Sequence, residues 1–324
     1  MNTGKLTILL LILSFIIIVS CKKKSDDSGG GSSGSSRLVK MTGYYHNVLE
    51  GYNTFIYQGN LIHEICGFGF LKTADTSYKV QIEYASGRMS VITWLIHDTT
   101  WKPTSRVFIL DWAGDIPSET ATTEYDASGA VMYEYRSVFT YAGGQVSEEK
   151  LYVMQGMQWV LDSRNVYTYN TQGQLQKEEI LNAGGLLRST TSYTWQNGVV
   201  TEEKKVPADS LLLHRNAFEY SGSKLSKTSF YFYQNHTWLP SGTAEYQYDA
   251  AGNLVTEFDN GYPPADDYKT VFEYASGQGN INVFYLATGD GIWNGQPQPI
   301  PSKPSQAFFG LRLTSHSSRV TTPK

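Results

Sequence analysis

From residue 37 onward, apolar and polar residues take turns along short runs separated by turns rich in Gly, Asn and Asp. That alternation belongs to strands with one dry face and one wet face, joined by tight connections. A recurring unit stands out: aromatic-x-aromatic, a short polar turn with Gly, then Leu or Val. It reads Phe55-Ile56-Tyr57-Gln58-Gly59, Ile82-Glu83-Tyr84-Ala85-Ser86-Gly87 and Thr123-Glu124-Tyr125-Asp126-Ala127-Ser128-Gly129. It continues as Phe139-Thr140-Tyr141, Tyr167-Thr168-Tyr169, Tyr193-Thr194-Trp195, Phe218-Glu219-Tyr220, Tyr246-Gln247-Tyr248 and Phe272-Glu273-Tyr274. From Tyr141 onward the second aromatic advances in steps of 28, 26, 25, 28 and 26 residues. A weaker copy, Phe108-Ile109-Leu110-Asp111-Trp112-Ala113-Gly114, places Leu110 26 residues after Tyr84.

Each unit reads as a β-hairpin. Asp249-Ala250-Ala251-Gly252-Asn253 puts Asp at the start of a turn and Gly where φ must be positive. Tyr246 and Tyr248 share one face while Gln247 points the other way. The middle residue is polar in eight of the nine clear units, so one face is wet and the other lined with aromatics. Asn182-Ala183-Gly184-Gly185 supplies a return turn, and no neighbouring stretch sustains a helical period. The prediction is all-β: an antiparallel β-meander of tandem hairpin repeats, about 26 residues each, about twenty strands in all. Laid flat, such a sheet would be nearly ~100 Å wide at ~4.8 Å per strand, so it must be strongly curled or barrel-like. Pro297, Pro299, Pro301 and Pro304 end the hairpin pattern, and a last strand is expected around Ala307 to Leu313.

The N-terminal segment predicts the compartment. Leu6 to Val19 form an apolar run interrupted only by Thr7 and Ser14, preceded by Lys5. That is too short to span a bilayer but fits a secretory leader. It ends at Ile18-Val19-Ser20-Cys21, which resembles the lipobox of bacterial lipoproteins. The resemblance implies cleavage before Cys21 and acylation of its sulfur, giving a membrane partner through a lipid anchor. Residues 21–36 then read as a flexible Gly/Ser tether with a reach of about 20–24 Å. Within it, Lys24-Ser25-Asp26-Asp27 resembles the export signal of surface-exposed Bacteroidetes lipoproteins, the alternative being a solvated charge cluster. The expected organisation is leader 1–20, lipidated Cys and tether 21–36, hairpin domain 37–313 and tail 314–324.

The motif Tyr248-Asp249-Ala250-Ala251-Gly252-Asn253-Leu254 resembles the YD (RHS-type) repeat. Lipobox, tether, Y-x-Y hairpins and proline-rich tail together resemble a Bacteroidetes lipoprotein family with a domain of unknown function and a porin-like fold. The resemblance implies an outer-membrane lipoprotein, facing the surface or the periplasm, and brings no catalytic residues. Asp stands at the turn in only two clear copies, Asp126 and Asp249, which departs from YD repeats. A membrane-spanning barrel is not expected, because Glu202-Glu203-Lys204-Lys205 and Lys177-Glu178-Glu179 put charge on both faces of their strands. The end Pro323-Lys324 also lacks the aromatic residue of a barrel-insertion signal.

Composition narrows the chemistry. With 26 Lys+Arg against 30 Asp+Glu the chain has no basic excess for nucleic acid. Two cysteines cannot supply a four-thiolate metal site, and Cys66 lies in an apolar strand where burial is expected. His46, His63, His97, His214, His236 and His316 show no metal-ligand spacing, so neither a metal nor another cofactor is expected. No carboxylate pair, nucleophilic triad or phosphate loop has its required context. Trp101, Trp159, Trp238 and Trp293 are the candidate ligand-binding residues. Trp159 and Trp238 each lie ten residues before a unit's second aromatic, and exposed indoles at such places would stack on sugar rings; buried, they fill the core. The expected function is a non-enzymatic, membrane-anchored binding or structural module for a glycan or protein ligand. The alternative is a polysaccharide-processing enzyme with a site assembled across hairpins.

Overall fold

The computed structural model describes residues 36–68, 76–97, 99–114, 116–208, 213–222, 224–261, 267–277, 292–293 and 296–297. The leader, Cys21, the tether and the strand expected around Ala307 to Leu313 lie outside them. Eighteen strands follow one another: β1 (Ser36–Tyr45), β2 (Val48–Gln58), β3 (Leu61–Phe68), β4 (Thr76–Ala85), β5 (Arg88–His97) and β6 (Trp101–Ala113). Next come β7 (Ile116–Tyr125), β8 (Val131–Ala142), β9 (Gln145–Gln155), β10 (Gln158–Tyr169), β11 (Leu175–Asn182) and β12 (Leu187–Gln196). The last six are β13 (Val199–Pro207), β14 (His214–Ser221), β15 (Lys224–Gln234), β16 (Thr237–Tyr248), β17 (Leu254–Gly261) and β18 (Asp267–Ser276). A two-residue pair, β19 (Ile292–Trp293) with β20 (Gln296–Pro297), is hydrogen-bonded separately from this sheet.

Every strand pairs antiparallel with the next, and β18 returns to pair with β1 from Ser36↔Ser276 to Tyr45↔Tyr268. The meander therefore closes into an eighteen-stranded up-and-down barrel. Closure removes both edges of the sheet, which an open meander of this length would expose.

The repeat has a structural cause. All nine even-numbered strands run towards the same rim, and each ends in an apolar-x-aromatic unit whose second residue is aromatic. There the second aromatic faces an aliphatic residue at the head of the following strand, as in Tyr57↔Ile62, Tyr84↔Met89 and Tyr248↔Leu254. The register shifts at that pair each time, because the following strand carries one extra residue, a β-bulge that sharpens the local twist. Ser147 and Ser226 occupy two such bulges and donate their hydroxyls to the carbonyls of Thr140 (3.1 Å) and Glu219 (3.0 Å).

The second aromatic also reaches backwards. Tyr57, Tyr84, Tyr141, Tyr169, Tyr220, Tyr248 and Tyr274 donate their hydroxyls to the carbonyls of Leu38, Ile62, Pro117, Val146, Val200, Leu225 and Leu254. Trp195 does the same with its indole N–H, 2.8 Å from the Leu175 carbonyl. Each acceptor heads the preceding strand, so one side chain ties three consecutive strands together. The acceptor residues, with Met89, form a ring of nine buried aliphatics. Phe55, Ile82, Ile109, Phe139, Tyr167, Phe218, Tyr246 and Phe272 add a second buried ring one layer in.

This arrangement corrects one assignment. Tyr125 ends β7, an odd-numbered strand, and lies at the opposite rim, so it is not part of the series. Trp112, rather than Leu110, takes the vacant place: it faces Pro117, and two register shifts around Asp111 absorb the offset. The full series is then 57, 84, 112, 141, 169, 195, 220, 248 and 274, one aromatic per hairpin.

The ladder makes a testable claim. Tyr248→Phe keeps the ring and loses one hydrogen bond, an expected cost of about 1 kcal/mol. Tyr248→Ala also empties a packed site and should cost about 3–5 kcal/mol. Urea titrations of both variants check this; equal losses would show that the hydroxyl contributes nothing.

Candidate functional site

Alternation from the buried rings assigns every side chain to the inside or the outside of the wall. On β2, for example, Asn53, Phe55 and Tyr57 face inwards while Tyr52, Thr54 and Ile56 face outwards. Along the inner face, exposure rises from one rim to the other. The aliphatic ring is buried, whereas inner residues at the far rim are open to solvent, among them Ile96 at 40% and Tyr133 at 53%. The barrel therefore has an apolar, hydrogen-bonded floor at the aromatic rim and an open mouth at the other.

Above the floor the inner wall is chemically divided. At the position three residues after each ring aliphatic, β1, β3 and β5 carry Met41, Ile65 and Ile92, whereas β9, β11, β13 and β17 carry Glu149, Glu178, Glu203 and Glu257. Glu149 Oε2 accepts a hydrogen bond from Asn165 Nδ2 at 3.0 Å, with the Tyr167 hydroxyl at 3.5 Å. Burial drives the Tyr167 phenol far above its ordinary range, and the neighbouring Glu149 and Glu178 carboxylates push it further. Tyr167 is thus a neutral donor between two acids at any physiological pH. Among the described residues no group of three or more His, Cys, Asp or Glu side chains is placed to hold a metal ion.

The outer wall carries ion pairs. Arg136 forms a two-pronged pair with Glu119 (2.8 and 2.9 Å), Arg164 pairs with Glu148, Lys40 with Glu273 (3.0 Å) and Lys177 with Glu179 (3.0 Å). These pairs are partly exposed and contribute about 0–1 kcal/mol each. Their significance is where they sit, at the middle of their strands. The run from Glu202 to Lys205 divides as alternation requires: Glu202 pairs outside with Arg215 (3.6 Å), while Glu203 faces inwards beside Asn216.

The candidate tryptophans occupy equivalent places, near the starts of β6, β10 and β16, on the outer wall close to the mouth. Trp101, Trp159 and Trp238 are each half-buried. They are not gathered: four and six strands separate them, about 19 and 29 Å along the wall. The side chain of Trp293 lies outside the described residues. Lys79 stands 4.7 Å over the Trp101 ring. Trp238 has the richer surroundings, with Tyr233 at 5.1 Å and the Arg215 guanidinium at 5.4 Å; Arg215 also lies 4.4 Å over Tyr231. Reasoning from single tryptophans missed this aromatic–cation cluster, although Arg215, Tyr231 and Trp238 all occupy outward positions that alternation predicts. Cys66 is fully buried, as expected. His46, His63, His97, His214 and His236 are dispersed around the wall, and His316 lies outside the described residues.

Four turns share one chemistry. Asp126, Asn170, Asn182 and Asp249 each accept, at a side-chain oxygen, the backbone N–H four residues on. Asn170 and Asn182 were not recognised as equivalents of the two Asp turns, although the amide oxygen accepts as the carboxylate does.

No family and no curated protein matches the sequence. Among solved structures, a porin-like protein from Bacteroides uniformis ATCC 8492 aligns with 74% of this chain and 98% of its own, at 9% identity and a TM-score of 0.41. A porin-like protein from Bacteroides vulgatus ATCC 8482 aligns over the same shares at 11% identity and a TM-score of 0.36. The TcdB2-TccC3-Cdc42 structure aligns with 71% of this chain but only 16% of its own, at 12% identity and a TM-score of 0.29.

Proposed function

We propose that this chain is a non-enzymatic, lipid-anchored lipoprotein of the outer membrane whose barrel stands in water as a binding or structural module. The observation that carries the reading is the outer wall. Arg136, Lys150 and Arg164 lie mid-strand on it, and each would cost about 2–4 kcal/mol at the midplane of a bilayer. Paired and hydrated, they cost little. Strand lengths of 8–13 residues would suit a spanning barrel, and the charges are what favour the other reading.

The termini of the barrel support an orientation. β1 starts and β18 ends at the sealed aromatic rim, and Cys21 lies fifteen residues upstream of β1. An anchor at Cys21 then holds the sealed rim towards the membrane and leaves the mouth facing away. The ligand is a glycan or a protein. For a glycan, the Trp238–Tyr231–Arg215 cluster offers aromatic faces beside a cation. A polysaccharide-processing enzyme is the second reading, favoured by Glu149 and Glu178 beside neutral Tyr167.

Cys21→Ala tests the anchor and the water-facing wall together. The expected result is loss of acyl labelling and release of a folded barrel into the soluble fraction. A variant that stays in the membrane through alkaline extraction would show the barrel itself to be embedded, and the reading would fall.

A further inference from the structure

We infer that the outer wall from β13 to β16 carries a binding site for an acidic oligosaccharide, one bearing carboxylate or sulfate groups. The inference rests on the reading that the ligand is a glycan, and it names the class of glycan. Lys204, Arg215 and Tyr231 stand opposite one another in β13, β14 and β15, and Tyr233 stands opposite Trp238 of β16. Strand alternation turns all of these side chains outwards. The Arg215 guanidinium lies 4.4 Å over the Tyr231 ring and 5.4 Å over Trp238, and Lys204 Nζ approaches the same indole at 5.8 Å. Two cations from two strands thus converge on one tryptophan, whose other neighbour is the Tyr233 ring at 5.1 Å.

Other guanidiniums of the wall supply the comparison. Arg136 donates both prongs to Glu119, at 2.8 and 2.9 Å, and Arg164 donates to Glu148. Arg215 has no such bond: its Nε is buried without an acceptor, and Glu202 Oε2 stands 3.6 Å away, beyond hydrogen-bond reach. Lys204 belongs to no ion pair among the described residues. The cluster therefore holds two positive charges against one loosely placed carboxylate. Its guanidinium is laid flat on aromatic rings with its donor fork unused, which is a preorganised seat for an oxyanion. An acidic sugar fits both parts of the cluster, its anionic group meeting the fork and its C–H face meeting the half-buried rings. An acidic peptide would satisfy the cations and leave the flat rings without a counterpart. Trp159, at the equivalent place on β10, faces Met154 and has no cation over its ring among the described residues, so it serves as an internal control.

The test is calorimetry on the full chain in detergent. The probes are tetragalacturonate for carboxylate, a κ-carrageenan tetrasaccharide for sulfate, maltotetraose and cellotetraose as neutral sugars, and a polyglutamate peptide. At least one acidic tetrasaccharide should bind at least about tenfold more tightly than either neutral one, and more weakly as salt is raised. Which of the two binds tells which anionic group the site takes. Arg215→Gln and Trp238→Ala should each weaken that binding by at least about tenfold with circular dichroism unchanged, and Trp159→Ala should leave it as it was. Acidic and neutral tetrasaccharides bound alike through Trp238 would keep the glycan reading and overturn this inference. Polyglutamate bound in preference to every sugar would assign the cluster to an acidic protein and overturn both. A chain that binds none of the probes overturns the inference as well.

Discussion

Gly67→Ala is expected to destabilise the barrel by several kcal/mol, far more than one methyl group ordinarily costs. Gly67 sits in β3 between Asn53 of β2 and Tyr78 of β4, and all three face the interior. The Tyr78 ring lies flat over the glycine: an added Cβ would stand 2.0 Å from its Cε1 and 2.4 Å from its Cδ1 and Cζ. The ring has nowhere to go at low cost, because its hydroxyl is bonded to the Asn53 side-chain oxygen and Asn53 is only 1% exposed. Displacing it adds about 1–3 kcal/mol of overpacking to about 1–3 kcal/mol for a buried amide left without its donor. The sum is about 2–6 kcal/mol, against a total of about 5–15 for an ordinary domain. Chemical denaturation measures it. In a Tyr78→Ala background the added methyl group should be nearly silent, since the obstacle is gone. A cost within about 0.5 kcal/mol of zero in the wild-type background would mean that the ring does not occupy this site.

Alkaline unfolding is the second large effect, and it follows from the ladder. Burial raises the hydroxyls of Tyr141, Tyr169 and Tyr220 to about 12, and those of Tyr57, Tyr78, Tyr167, Tyr248 and Tyr274 higher still. The unfolded chain releases these protons near pH 10. Between pH 10 and the folded values, the native state therefore holds more protons than the unfolded one, and its stability falls as pH rises. Below pH 10 the contribution is complete. A fully buried tyrosine contributes about 1.4 kcal/mol per pH unit to that fall, and the half-exposed ladder members about half as much. Two deep and six partly screened groups give about 7 kcal/mol per pH unit, enough to remove a domain's whole stability within one or two units above pH 10. Near-ultraviolet circular dichroism and absorbance at the phenolate band should change together, in one steep transition. Independent tyrosine titration near pH 10 with the barrel intact would show that the hydroxyls are free in solution.

Both effects concern contacts between neighbouring strands that no single strand's pattern specifies, and the same division separates what could be read early from what could not. The chain itself determined the all-β class, the hairpin period and the polar and apolar sides of each strand. Those properties are local: alternation fixes which side chains share a face, and Gly with Asn or Asp fixes where the chain reverses. Alternation also anticipated that Glu202 and Glu203 would part company across the wall. It could not tell Tyr125 from Trp112. Both follow an apolar-polar pattern, and only the count of strands around the closed barrel shows which aromatic stands at the sealed rim. Why the second aromatic recurs was likewise hidden, since its hydroxyl bonds a carbonyl about twenty residues upstream that no local rule names. The cluster of Arg215, Tyr231 and Trp238 comes from three strands and exists only once they are paired in register. The tertiary structure alone decided that the meander closes, because β1 and β18 meet only after every intervening strand has contributed its twist. It alone made one rim an apolar floor and the other an open mouth, because identical hairpins become different ends only when all nine point the same way.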